Sequence, residues 1–284
     1  MYPPETINEI HRRLQQAIPH NKVLLGGSYL YGEATEDSDV DFYAICKWRD
    51  LLTFGSYRQK IEKLKDEFFT VGWNVTVVPQ ALYDRGWYYV YGSDTSGRIQ
   101  QSAIYNKLII RNSLKLAFYH YLSSLSATSS AERQKKLVKS AQQLAAALLF
   151  FEKIFSFKPF FSSANLIKQL ASIRSLNAAP LTELLRSKVE KTELSKERLY
   201  HLGNQLGALL LQTKDELGGA WSHFSWVNYC LYNARFLWKG KLLFLFTNPD
   251  KMVLQKLARA VQSKSHANEV VEALKEIVFP VIVI

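Results

Sequence analysis

The stretch VLLGGSYLYGEATEDSDVDFYAI, residues 23–45, constrains the fold more than any other part of this 284-residue chain. Val23-Leu24-Leu25 is a short apolar run with the length of a buried strand. Gly26-Gly27-Ser28 breaks it with residues that permit a sharp turn and a close backbone approach. A ten-residue excursion follows, in which Gly32 is placed to end a helical turn. Glu36-Asp37-Ser38 then form a polar turn into Asp39-Val40-Asp41-Phe42-Tyr43-Ala44-Ile45, which is rich in β-formers. Two strands joined by a glycine turn and a compact crossing are therefore expected.

Side chains at i and i+2 of a strand share a face. Asp39 and Asp41 thus project together, while Val40 and Phe42 point into a core. Two adjacent carboxylates repel one another and sit badly beside an apolar layer. A divalent cation removes that penalty, and hard oxygen donors combined with phosphate oxygens suit Mg²⁺, or Mn²⁺ in its place. Gly27 lets the backbone approach an anion, and the Ser28 hydroxyl supplies a further donor. Acids and glycine turn together point to a site for nucleoside triphosphates.

Gly27-Ser28, ten residues, and then Asp39-Val40-Asp41 resemble the signature of the DNA polymerase beta-like nucleotidyltransferase superfamily. That group includes minimal and antibiotic nucleotidyltransferases, poly(A) and CCA-adding enzymes and oligonucleotide synthases. The likeness covers the motif and its flanks, about residues 5–115, and singles out no subfamily. It implies that Gly27 and Ser28 hold the triphosphate and that Asp39 and Asp41 hold the metal. It also implies a third carboxylate on a later strand. The strand expected over 71–78 carries Asn74 at that position, with Thr76 next on the same face. Neither serves as a general base, and an amide oxygen is a weaker ligand than a carboxylate. Three alternatives stay open: a base from elsewhere (Asp84, Asp94 or Glu152), an acceptor that needs no strong base, or a protein that binds nucleotide without turnover.

The remaining bounds are broad. The length supports one or two domains with a sizeable core. Cys46 and Cys230 give neither a disulfide framework nor zinc spacing, which fits a reducing, cytoplasmic setting. The opening MYPPETINEIHRRL lacks an apolar signal region, and the apolar ending 277–284 is too short to span a bilayer, so no membrane role is expected. No GxxxxGK[ST] loop is present, which excludes a P-loop ATPase. The net charge of +11 favours polyanions, so nucleic acid stays open as a partner, but the basic residues are spread along solvated helix faces. His201, His223 and His266 share no metal spacing, and Trp221, Trp226 and Trp238 are expected in the core of one aromatic helix.

Along the chain the class is α+β. A small mixed-sheet core over 1–98 is expected to be followed by a helical bundle over 99–284, which would bind the acceptor or a partner. An amphipathic helix spans 4–17, a second covers 49–69 with an interruption at Phe54-Gly55-Ser56, and an aromatic strand is expected at 87–91. Helices are expected over 99–125, 133–155, 164–174, 180–188, 193–216, 223–238, 249–263 and 267–278. Arg98, in the polar turn after the aromatic strand, and Lys107, early in the next helix, are further candidates for nucleotide contact. The expected activity is Mg²⁺-dependent transfer of a nucleoside monophosphate from an NTP to an acceptor hydroxyl. The acceptor, the choice of NTP, and a homodimer or helical partner are left open.

Overall fold

In the computed structural model, residues 1–18, 22–36, 38–47, 54–80, 103–152, 162–173, 177–221, 235–238, 242–245 and 267–278 are described. The chain divides into two compact units. The first comprises Met1–Gln101, Phe157–Ser162 and Ala234–Phe246; the second comprises Ser102–Ser156, Ser163–Asn233 and Thr247–Ile284.

The first unit opens with helix α1 (Pro4–Ala17). Proline at its first position costs nothing, because that N–H would have no helical partner anyway. Ile7, Ile10 and Leu14 recur at helical spacing and are buried. Strand β1 (Lys22–Gly26), the short helix α2 (Gly27–Tyr31) and strand β2 (Val40–Cys46) follow. Helix α3 (Phe54–Glu67) and strand β3 (Trp73–Pro79) complete the core. The sheet order is β1-β2-β3, with β1 antiparallel and β3 parallel to the central β2. This is the small mixed sheet that the sequence predicts.

Val40, Phe42, Ala44 and Cys46 alternate along β2 and pack with the α1 stripe and with Tyr57, Ile61 and Leu64 of α3. Trp73 meets Phe42 edge-on, with ring centroids 6.2 Å apart. Polar contacts fix α1 against β1. His11 Nε2 lies 2.9 Å from the Val23 carbonyl, and the Val23 N–H donates to Gln15 Oε1 at 3.0 Å. Arg13 pairs with Glu67 across α1 and α3. Cys46 is a buried free thiol; Cys230 lies outside the described residues.

The second unit is a helical bundle of α4 (Ala103–Leu125), α5 (Ser130–Phe151), α6 (Ser163–Leu170), α7 (Ala179–Val189), α8 (Lys196–Trp221) and α9 (Ala267–Val278). Helix α5 is its axis. The run Leu144–Phe150 is buried at every position, as expected of a helix surrounded by neighbours on all sides. Its start is capped by Ser129, whose hydroxyl accepts from the Glu132 N–H at 3.1 Å. The Ser140 hydroxyl donates to the Ala117 carbonyl of α4 at 2.8 Å. Helix α8 lies tightly on α4: a Cβ at Gly207 would come within 2.4 Å of Tyr121 Oη. Gly207→Ala is therefore expected to destabilise the bundle by up to about 2 kcal/mol. The crowding cost, about 1–3 kcal/mol, exceeds the gain of about 1 kcal/mol in helix propensity. A lower urea midpoint at unchanged slope would show this; a higher midpoint would mean that Tyr121 yields freely.

Three expectations need correction. Phe54-Gly55-Ser56 opens α3 rather than interrupting it. The predicted helix over 223–238 does not reach its end: Arg235–Trp238 is strand β4, paired antiparallel with β5 (Leu242–Leu245). Both runs are short and mostly apolar or aromatic, where helical and strand periodicity cannot be told apart. Trp221 ends α8 and Trp238 lies on β4, so the tryptophans do not share one helix. The segments expected at 87–91 and 249–263 fall outside the described residues. Among the described residues no helix is long and apolar enough to cross a membrane.

Candidate active site

The site gathers at one end of the central strand. Register aligns Gly26 with Asp41 across the antiparallel pair, and Asp41 with Asn74 across the parallel pair. Directly paired residues carry their side chains on the same face. The glycine turn, the second aspartate and the expected third position therefore stand in one row across three strands. Asp39 is one pleat earlier, just ahead of the first residue of β2, and the Val40 N–H beside it donates to the Gly72 carbonyl at 2.8 Å. The preceding turn is closed by Ser38, whose N–H donates to the Thr35 carbonyl at 3.0 Å and whose Oγ accepts from the Thr35 N–H at 2.9 Å.

Gly27 makes the turn between β1 and α2 with φ 66°, in the left-handed region open to glycine. A Cβ there would lie 2.3 Å from Asp41 Oδ2. The Asp41 carboxylate is thus seated against the bare Cα of Gly27, in space that any other residue would fill. Gly26 is similarly restricted, because a Cβ would meet the Tyr43 ring at 2.3 Å. Helix α2 ends at Gly32, φ 71°, whose N–H returns to the Ser28 carbonyl. Both halves of the sequence motif therefore meet in space, and the meeting depends on the second glycine of the pair.

Asn74 Nδ2 donates to Asp39 Oδ2 at 2.7 Å. The side chain at the third position is therefore on the face that alternation predicts, and it engages Asp39 rather than its ladder partner Asp41. Asp39 and Asn74 are exposed, whereas Asp41 is half-buried. Two tyrosines tie the rim together. The Tyr2 N–H donates to Tyr29 Oη at 3.0 Å, Tyr2 Oη accepts from the Gly72 N–H at 2.8 Å, and the two rings stack at 6.2 Å. This bridge from α2 to the start of β3 was not foreseen, since no local pattern links a residue near the start of the chain to one 70 positions on.

Of the other sequence candidates, Arg98, Asp84 and Asp94 lie outside the described residues. Lys107 is in the opening turns of α4 and Glu152 follows α5, both in the second unit. Among the described residues no cluster of three or more His, Cys, Asp or Glu forms. The donor set still suits a hard divalent cation: two carboxylates rise from one edge, and one of them occupies a cradle that a single Cβ would fill.

Comparison with known proteins agrees with this geometry. Residues 7–93 match the family model described as nucleotidyltransferase domain, a span that covers most of α1, the β1-β2-β3 sheet and the motif. No curated protein and no solved structure matches the chain. The matched span ends before the helical bundle begins, and no subfamily is distinguished. Residues 7–93, which hold the glycine turn seated on the second aspartate, are thus similar to a nucleotidyltransferase domain.

Proposed function

We propose that this protein transfers a nucleoside monophosphate from an NTP to a hydroxyl of a small molecule or protein, in the presence of Mg²⁺ or Mn²⁺. In that reaction the acceptor oxygen bonds to the α-phosphorus, the α–β phosphoanhydride bond breaks, pyrophosphate leaves with the electron pair, and the hydroxyl proton passes to solvent. Asp39 and Asp41 would hold the cation, which when bound supplies positive charge against the triphosphate. Gly27 and Ser28 would hold the β- and γ-phosphates. The absence of a side chain at Gly27 lets the phosphates and the Asp41 carboxylate approach one another. The helical unit would receive the acceptor. The observation that carries this reading is the Gly27–Asp41 contact, within a segment that matches the domain family.

Asn74 supports a second reading, in which the chain binds nucleotide and regulates without turnover. A thermal-shift titration with each of the four NTPs, with and without Mg²⁺, on wild type and Asp39→Asn addresses the shared premise. A ligand at 100 times its Kd stabilises the folded state by about 2.7 kcal/mol. Wild type is expected to show a Mg²⁺-dependent rise in Tm with at least one NTP, and Asp39→Asn is expected to lose it. Equal shifts in both proteins would remove Asp39 from the site. Pyrophosphate release in the presence of acceptor candidates then separates the enzyme from the silent binder.

A further inference from the structure

Asn74 stands beside Asp41 in the parallel ladder, where the resemblance places a third carboxylate, and its amide N–H points at Asp39 Oδ2 from 2.7 Å. Three features of donor chemistry follow. A hydrogen directed at a carboxylate oxygen fills the space a cation would need on that side. Turning the amide around would set two oxygens against each other, so the contact itself selects the N–H orientation. Finally, two close divalent ions carry four positive charges and are usually clamped by several acids, whereas Asp39 and Asp41 together supply two negative charges. Among the described residues no third acid joins them.

We propose that this site holds a single divalent cation between Asp39 and Asp41, and that Asn74 is a positioning residue that closes the second cation position and fixes the orientation of Asp39. The inference rests on the nucleotidyltransferase reading and deepens it.

The test counts Mn²⁺ bound to the full chain by electron paramagnetic resonance, with each of the four α,β-methylene nucleoside triphosphates. Counts are corrected for the nucleotide alone. Wild type is expected to retain one Mn²⁺ per protein–nucleotide complex, and Asn74→Asp two. Asn74→Ala is expected to keep one but bind it about 10-fold more weakly, in the range for loss of an outer partner of a ligand. Two ions on wild type, or one on Asn74→Asp, would overturn the proposal and leave the nucleotide reading intact. No Mn²⁺ on any variant beyond that held by nucleotide alone would overturn both. A stoichiometry counted per protein–nucleotide complex leaves out unfolded chain, so it separates positioning from a structural role.

Discussion

Gly27→Ala is expected to destabilise the first unit by about 2–5 kcal/mol and to abolish NTP-dependent stabilisation. Left-handed backbone costs a residue with a Cβ about 1–2 kcal/mol. The new methyl would also lie 2.3 Å from Asp41 Oδ2, and relieving such overpacking costs about 1–3 kcal/mol. Asp41 is the group that must move, so ligand binding fails together with stability. Gly32 provides the comparison. It has nearly the same φ, 71°, but nothing within 4 Å of where its Cβ would be. Gly32→Ala should therefore show the backbone cost alone, about 1–2 kcal/mol, and keep the NTP response. Thermal melts of both variants, with and without Mg²⁺ and NTP, make the measurement. Equal losses in the two would mean that the Asp41 carboxylate swings away at no cost.

A second large effect is expected from His120 on α4. Burial holds its pKa down to about 4 from an ordinary 6.5, and the ammonium groups of Lys139 and Lys136 on α5 add to the shift. Because the folded value is depressed, the unfolded chain binds more protons between the two values, and stability rises with pH there. The contribution of His120 is thus complete above about pH 6.5 and is lost as the pH falls toward 4. At 1.36 kcal/mol per unit the loss amounts to about 3 kcal/mol. Urea midpoints between pH 7 and pH 4.5 should fall accordingly, and His120→Gln should remove the slope. Glu183 is shifted down as well: the hydrogen bond from Arg198 holds its carboxyl below the usual 4.5, so its contribution is present above that value and is lost as the pH falls through the folded one. A slope that persists in His120→Gln would assign the acid sensitivity elsewhere.

The parts of the fold visible in the sequence are those written in local periodicity. The Ile7–Ile10–Leu14 stripe, the alternation along β2 and the glycine at Gly32 each predict one element, and each element forms. The same alternation placed Asn74 on the face of Asp39 and Asp41. It could not give the hydrogen bond to Asp39, because the choice between two nearby carboxylates depends on a register between strands 35 residues apart. The Gly27–Asp41 contact was hidden for a similar reason. Sequence shows that a glycine is present; only the left-handed turn reveals which atom it makes room for. Arg235–Trp238 was misread because four residues are too few for either period to emerge. The stacked Tyr2–Tyr29 pair joins segments with no shared pattern at all.

The identity of residue 74 also has a genetic side. Both asparagine codons become aspartate codons by one transition at the first base. The difference between a locked Asp39 and a third acid in the row is therefore a single nucleotide, on a β-strand that already presents the side chain to the right place. Such a position lies within easy reach of ordinary mutation in both directions. Sequence variation at this one codon is the most economical record of whether lineages have needed the acid.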